Sequence, residues 1–254
     1  MDTRTRHHIC ALAVSAAVLT SLTLGAVAAT TSAEPLHASA GMRPHCIFTF
    51  PDTGGTLPAR YEPMERGDII CGGPGADIVE VMNGGYFLSG PGDDRVRTLK
   101  GGVVWAGQGS DLVDVMTGAR FHGGPGDDRV LIQKRGKYEG GDGSDSVTTM
   151  NEGYFAGAKG NDSVTTINGG AFSGCSGNDS ITTMNGGYFG GWWGDDSVGV
   201  MNGGRWFGGD GDDRVGLIYD GRFDGGAGFE VVDTYEGGVC IDVEVPNGCP
   251  QPAP

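Results

Sequence analysis

An acidic residue recurs at every seventeenth position through the long middle part of this chain. Nine of these residues are aspartates and the tenth is a glutamate: Asp77, Asp94, Asp111, Asp128, Asp145, Asp162, Asp179, Asp196, Asp213 and Glu230. Carboxylates act as ligands for hard metal ions, or in pairs as the acid and base of glycoside hydrolysis. Because every copy carries a carboxylate at the same position, we expect a repeated ion site rather than one active centre.

The acids belong to a 17-residue unit that is repeated ten times without insertion or deletion, G-G-x-G-D-D-x-V-x-x-M-N-G-G-Y-F-x. Position 4 is Gly in all ten copies, and position 14 is Gly in nine, with Ala119 as the exception. These positions predict corners with positive φ or close backbone approach. Position 8 is a Val or Ile column, and position 16 is mostly Phe. Alternation within a strand predicts that positions 8 and 10 face inward while positions 7 and 9 face outward.

Two short strands and two corners in 17 residues cannot bury themselves alone, but stacked coils pair each strand with its neighbours above and below. The sequence therefore predicts an all-β fold, a right-handed parallel β-solenoid (β-roll) of ten two-stranded coils without helices. We expect an N-terminal cap at 34–67, the repeat array at 68–241, and a C-terminal cap with a Pro-rich tail at 242–254. Capped ends blunt the open strand edges.

The first 33 residues have the pattern of a secretory signal peptide, which predicts an extracellular protein. Arg4 and Arg6 precede an apolar stretch, and small residues end it at Ala33. A membrane anchor is the alternative, but the apolar stretch is broken by hydroxyl residues and is short for a span. No membrane span is expected in the mature chain.

The net charge of −15 becomes −16 when the two Arg and one Asp of residues 1–33 are removed. Such a chain repels phosphate backbones and anionic lipid heads, so nucleic acid is not an expected partner. Its natural counter-charges are cations.

Five cysteines remain after Cys10 leaves with the signal peptide. Their positions near the two ends of the array suggest bridges from Cys46 to Cys71 and from Cys240 to Cys249, formed in an oxidising compartment. Cys175 is then the odd thiol. A metal cluster is the alternative, but the chain has no C-x-x-C pair.

The first nine positions resemble the calcium-binding nonapeptide of the RTX (haemolysin-type) β-roll family, G-G-x-G-x-D-x-U-x. One copy reads Gly123-Gly124-Pro125-Gly126-Asp127-Asp128-Arg129-Val130-Leu131. The resemblance covers residues 72–241. It implies calcium ions held between the loops of successive coils, each taking the position-6 Asp from both. Nine aspartates from Asp77 to Asp213 then allow up to eight ions.

Electrostatics favours the same cation independently of the resemblance. Carboxylates stacked about 5 Å apart repel by roughly 3 kcal/mol per neighbour at an effective dielectric of about 20. A divalent cation between coils reverses this repulsion, and Gly-rich loops offer backbone carbonyls as further ligands. Ca²⁺ tolerates such flexible loops better than Mg²⁺, which demands a tight octahedron.

The unit also departs from the family, whose coils pair two nonapeptides. The second half here has eight residues and lacks the Asp, so calcium is expected on one edge only. The other edge turns at an Asn, for which a left-handed turn residue is favoured over a stacked hydrogen-bonded ladder. These residues are Asn83, Asn151, Asn168, Asn185 and Asn202.

Ala158, Cys175 and Trp192 replace the second Gly of the loop in three successive coils. For Trp192-Trp193, local packing is favoured over an exposed aromatic platform for a sugar or partner.

The leading hypothesis is a secreted calcium-binding β-roll whose fold depends on Ca²⁺. The alternative is a surface that binds ice or an extracellular or cell-surface polysaccharide, with calcium purely structural. It rests on a row of outward hydroxyls, Ser146, Thr148, Ser163, Thr165, Ser180 and Thr182. An enzyme is not expected, because residues 34–67 hold no H-E-x-x-H, G-x-S-x-G or nucleophile-base pair.

Overall fold

A computed structural model describes residues 46–244 and shows an all-β chain. The predicted signal peptide and residues 245–254 lie outside the described residues. The strands in chain order are β1 (Phe48–Thr49), β2 (Gly55–Thr56), β3 (Ile69–Cys71), β4 (Asp77–Met82), β5 (Tyr86–Pro91), β6 (Arg95–Leu99), β7 (Val103–Gln108), β8 (Leu112–Met116), β9 (Ala119–Pro125), β10 (Arg129–Gln133), β11 (Gly136–Asp142), β12 (Ser146–Met150), β13 (Tyr154–Lys159), β14 (Ser163–Ile167), β15 (Ala171–Ser176), β16 (Ser180–Met184), β17 (Tyr188–Trp193), β18 (Ser197–Met201), β19 (Arg205–Asp210), β20 (Arg214–Ile218), β21 (Arg222–Ala227), β22 (Val231–Tyr235) and β23 (Val239–Ile241).

The strands form two parallel sheets, and successive strands of the chain alternate between them. The twelve odd-numbered strands form one sheet, here the aromatic sheet, and the eleven even-numbered strands form the other, here the valine sheet. From β3 onward, paired residues lie 17 positions apart, as Val130 pairs with Val147 and Phe155 with Phe172. The strands β1 and β2 precede the repeat and pair 22 positions away, as Phe48 does with Ile70. The predicted parallel β-solenoid with a 17-residue coil is confirmed.

The core is a thin layer between the two sheets. The valine column at position 8 is at most 2 % exposed from Val79 to Val232, and position 16 is equally buried. The rings of Tyr138, Phe155 and Phe172 stack with centroids 4.5 and 4.8 Å apart. The two columns predicted to face each other across the interior are both confirmed.

The prediction that position 10 faces inward is wrong. Position 10 is half-buried, and Ile132 is 37 % exposed there, whereas the next residue is buried in the core. The strand bends toward the corner after position 9, and this bend brings position 11 instead of position 10 into the interior. The buried residues at position 11 include Met82, Leu99, Met116, Met150, Ile167, Met184, Met201 and Ile218.

The corner at position 14 has the predicted left-handed backbone. Gly85 and Gly170 have φ of 80° and 84°, and an added Cβ at either would fall within 3.0 Å of backbone atoms of the preceding coil. Ala119, the exception in sequence, does not have positive φ. Glycine is therefore needed here for conformation and for close approach.

The Asn corner differs from the favoured prediction. Asn168 donates from Nδ2 to Oδ1 of Asn151 at 2.8 Å, and the same bond repeats from Asn185 to Asn168 and from Asn202 to Asn185. None of these residues has positive φ. The stacked ladder is present, and the left-handed interpretation is wrong, because the Gly two residues after each of these Asn residues has the positive φ instead.

Asn168→Ala should lower the free energy of unfolding by about 1–2 kcal/mol, because it removes one ladder donor and one ladder acceptor. Urea unfolding measures the change. Thr117→Ala is the matched control, since Thr117 stands at the same corner position outside the ladder. Equal losses in the two variants would contradict a ladder that contributes to stability.

The N-terminal segment covers the first coil in both sheets. β1 pairs with β3 and β2 pairs with β4, and a short 3-10 helix at Ala59–Tyr61 follows β2. The Glu62 carboxylate accepts the amide N–H groups of Glu80 and Val81 at 2.6 and 3.2 Å. These contacts satisfy strand groups that an uncapped end would expose. No helix within residues 46–244 is long and apolar enough to cross a bilayer.

The predicted disulfide between Cys46 and Cys71 is present. Cys240 is also disulfide-bonded, while its predicted partner Cys249 lies outside the described residues. The prediction that Cys175 is an odd thiol is wrong, because Cys175 is disulfide-bonded and no described cysteine is free. Counting cysteines along the chain does not determine how they pair.

Candidate metal centre

The nine aspartates of the repeat lie inside the solenoid, where each loop ends and a strand of the valine sheet begins. Each is at most 3 % exposed, and Glu230 is fully buried at the end of the column. Position 6 shares the inward face with the valine at position 8, because strand residues two apart point the same way. The described metal candidates from Asp77 to Asp213 therefore form one continuous buried column, here the acid ladder.

One carboxylate oxygen of the ladder aspartates, Oδ1, joins neighbouring coils through a hydrogen bond. The backbone N–H of each Asp donates to Oδ1 of the Asp in the next coil, as Asp145 N–H does to Asp162 at 2.7 Å. The same bond, at 2.7–2.9 Å, runs from Asp77 to Asp213. The carboxylate replaces the strand acceptor that the loop backbone cannot supply.

The second oxygen has no hydrogen-bond partner in almost every coil. Oδ2 is buried and unbonded in Asp94, Asp111, Asp128, Asp145, Asp162, Asp179, Asp196 and Asp213. Asp77 differs, because its Oδ2 accepts the N–H of Gly73 at 3.0 Å and its Oδ1 is the unbonded atom. A buried carboxylate oxygen without a donor is costly, and this column repeats that cost coil after coil.

The unbonded oxygen lies against the first Gly of the loop, in the space that a side chain at this position would fill. This space is here called the Gly cradle. A Cβ added to Gly123 would fall on Oδ2 of Asp128 and within 2.7 Å of the Gly140 carbonyl oxygen in the next coil. At Gly191, the added atom would likewise meet Asp196 and the Gly208 carbonyl. Six successive coils combine this Gly with an unbonded Oδ2, namely Gly123, Gly140, Gly157, Gly174, Gly191 and Gly208.

Two earlier coils show what happens when a side chain fills the cradle. Ser89 replaces the Gly, and its hydroxyl donates to the Ala106 carbonyl oxygen at 2.9 Å. Ala106 replaces the Gly of the following coil, and only a 10 Å³ cavity remains beside Asp94 and Asp111. The Ser89 hydroxyl thus bonds to a backbone carbonyl, and Oδ2 of Asp94 in the same coil remains unbonded.

Burial raises the pKa of the ladder carboxyls far above that of a free aspartate, and neighbouring carboxylates add to the rise in several of them. The pKa rises to about 6 for Asp111, to about 7 for Asp94, Asp145 and Asp213, to about 8 for Asp128, Asp162 and Asp196, and to about 9 for Asp179. Backbone N–H donors oppose the rise without cancelling it. Near neutral pH, these raised pKa values favour protonated carboxyls over a column of adjacent buried charges.

Sequence reasoning missed a second ladder in the same loops. At position 5, an exposed side-chain oxygen accepts the backbone N–H of the next coil, as Asp127 does from Ser144 at 2.7 Å. The acceptors are Asp93, Asp127, Asn161, Asn178, Asp195 and Asp212. Positions 5 and 6 thus bond in opposite directions along the solenoid. The sequence signal for this second ladder is the frequent occurrence of Asp or Asn at position 5.

The acid ladder offers carboxylate oxygens, which are the donor type that hard cations take. No group of three or more His, Cys, Asp or Glu side chains that could hold a metal occurs among residues 46–244. An ion here would take carboxylate oxygens of the ladder and complete its shell with loop carbonyls and water. Ca²⁺ accepts six to eight oxygens in irregular geometry, whereas Zn²⁺ in proteins is typically bound by His or Cys.

The other candidate surfaces lie outside the acid ladder. Trp192 packs against Trp193 and Phe207, with ring centroids 6.3 and 6.0 Å apart, in agreement with local packing. Trp192 does so with φ of 82°, a backbone conformation that favours Gly. The Ser and Thr row lies on the outer face of the valine sheet.

No protein-family model matches this chain, and no curated protein or solved structure is significantly similar to it. The resemblance to the RTX repeat therefore rests on the nonapeptide motif alone.

Proposed function

We propose that this protein is an extracellular calcium-binding β-solenoid of the RTX type, stabilised by Ca²⁺ bound along the acid ladder. The observation that carries the proposal is the unbonded Oδ2 of six successive aspartates, each facing a Gly cradle. Water or a proton satisfies one such oxygen at a time, whereas a divalent cation also offsets the charge of its neighbours.

The proposal assigns the ions to coils 4–9 and refines the number expected from sequence. Up to eight sites follow from nine aspartates, but Ser89 and Ala106 fill two cradles and Asp77 bonds to Gly73. The six coils from Gly123 to Asp213 keep both the cradle and the free oxygen. If the proposal holds, the chain is unfolded or loosely folded at low calcium and becomes rigid where calcium is millimolar.

Secretion is part of the proposal and is supported by the disulfide chemistry. The Cys46–Cys71 bridge is typical of an oxidising compartment. Extracellular calcium modules operate with dissociation constants of about 10⁻⁴ to 10⁻³ M, which suits carboxylates that also accept a backbone N–H.

The test is the metal content of the purified protein under non-denaturing mass spectrometry, with circular dichroism on the same sample. We expect about five Ca²⁺ per chain, one between each two successive coils that both have Gly at position 1 and an unbonded Oδ2. We also expect a large loss of β-signal or of melting temperature in excess chelator. Unchanged β-signal and melting temperature in chelator would overturn the proposal. Binding of Mg²⁺ in equal number and affinity would overturn the choice of metal.

A further inference from the structure

A groove runs along the corner opposite the acid ladder, across the first four coils. It encloses about 760 Å³ and extends from Arg66 to Lys137. Its floor is backbone, formed by the corner glycines of successive coils such as Gly85 and Gly102. Because most of these corner positions carry no side chain, the larger lining side chains lie beside the backbone of successive coils.

The walls of this groove, here the corner groove, are cationic. Arg66 and Arg120 line it, are exposed and form no ion pair among the described residues. Lys137 lines it one coil beyond Arg120 and also contacts Glu139 and the Tyr154 ring. Lys100 and Lys134 are exposed at the Asn position of nearby coils, also without an ion pair there.

None of the described residues that line the corner groove is acidic, and the acidic residues beside it bond to neutral or cationic groups. Glu65 accepts a hydrogen bond from Asn83, and Asp68 accepts the N–H of Glu65. Glu152 pairs with Arg135 at 2.8 Å. Bonds from neutral donors leave the charges of Glu65 and Asp68 in place, but four cationic residues without an ion pair among the described residues outnumber these two carboxylates at this corner of a chain whose net charge is −15. The four are Arg66, Lys100, Arg120 and Lys134. Such a local reversal of sign points to an anionic ligand.

The groove selects for an extended ligand with repeated charge. Tyr86, Val103, Arg120 and Lys137 occupy the same strand position in four successive coils, so they span roughly 14 Å at about 4.8 Å per coil. Tyr86 is 48 % exposed and offers a ring face at one end. Guanidinium groups bind carboxylates in a planar, bidentate manner, and an exposed tyrosine offers an apolar face with a polar tip.

We propose that the corner groove binds an acidic polysaccharide, a linear polymer with uronate carboxylates, along the solenoid axis. Sugar rings would pass over Tyr86 and the glycine floor while Arg66, Arg120 and Lys137 pair with the carboxylates. A nucleic acid is disfavoured, because the rest of the surface repels a long phosphate backbone. This inference is independent of the calcium proposal, since it uses no residue of the acid ladder.

The test is calorimetric titration of the full chain, in millimolar calcium, with a hyaluronan decasaccharide as the probe. We expect saturable binding that weakens with added salt. The double variant Arg120→Ser, Lys137→Ser should bind about tenfold or more weakly, which corresponds to about 1.4 kcal/mol. Arg205→Ser is the matched control, because Arg205 is an exposed arginine at the same strand position outside the groove, and it should bind like the original chain.

Three outcomes would overturn the proposal. The first is no binding at low salt by protein whose circular dichroism shows the folded state. The second is equal weakening by Arg205→Ser, which would indicate general charge attraction. The third is equal or tighter binding of a single-stranded oligonucleotide of the same charge, which would assign the groove to phosphate polymers. Metal content is measured separately, so failure here leaves the calcium test unaffected.

Discussion

In calcium-free buffer, the melting temperature should fall by about 10 °C or more as the pH rises from about 5 to about 8. The ladder carboxyls have a pKa of about 6 to 9 in the folded chain, against a pKa of 3.8 for an unperturbed aspartate. Between these values the folded state binds more protons than the unfolded state. Stability is therefore fully present below about pH 4 and is lost as the pH rises through the folded pKa range.

Bound calcium should remove the loss of stability at the upper end of this pH range. Deprotonated carboxylates bind the ion and protonated ones do not, so the stabilisation by calcium should increase from about pH 5 to about pH 8. Scanning calorimetry at both pH values, with calcium and with chelator, gives the four melting temperatures needed. A chelated protein that becomes more stable with rising pH would contradict buried, raised-pKa carboxyls. A calcium effect of equal size at both pH values would contradict their role as ligands.

The fold was predictable because a strict 17-residue period leaves few alternatives. Any register other than coil on coil would place the Val79 and Phe87 columns against polar residues. Position 4 and position 14 marked the corners, since glycine at a fixed position in successive copies indicates a backbone constraint. The columns, the parallel pairing and the corners then follow from the period and from apolar alternation.

The predictions that were wrong concern residues at the ends of strands. Alternation placed Val81 inward, but the chain bends before the corner and buries Met82 instead. The Asn ladder could not be separated from a left-handed Asn in sequence, because both need Asn beside Gly. The structure separates them through the 2.8 Å contact of Asn168 with Asn151. Local pattern predicts conformation better than it predicts the partner of a side chain in the next coil.

The acid ladder shows the same limit. The period predicts that the aspartates stack, but not that Oδ1 of Asp162 accepts the N–H of Asp145. Each Asp from Asp94 to Asp213 therefore has a structural role that requires no metal, and only its Oδ2 remains for a ligand. Replacement of the whole side chain would remove both roles at once. An informative variant must keep Oδ1 and change Oδ2 alone.

Asp162→Asn makes this separation and should change stability in opposite directions with and without calcium. The amide oxygen can still accept the Asp145 N–H, while an uncharged NH₂ group replaces the unbonded Oδ2 beside Gly157. In chelator at about pH 8, removal of one buried charge should stabilise the chain by about 1–3 kcal/mol, or roughly 2–12 °C in melting temperature. In millimolar calcium, the same variant should be less stable than the original chain and should bind fewer ions.

Asp210→Asn is the matched control, because Asp210 is an exposed aspartate of the same loops and lies outside the acid ladder. It should leave both melting temperatures and the ion count nearly unchanged. If Asp162→Asn stabilises the protein to the same extent in calcium and in chelator, the ladder is a proton-held structural column and calcium does not bind at this coil. If Asp162→Asn destabilises the protein in calcium and in chelator, Oδ2 has a hydrogen-bond partner within the chain. Only a reversal of sign between the two buffers assigns Oδ1 to the fold and Oδ2 to the ion.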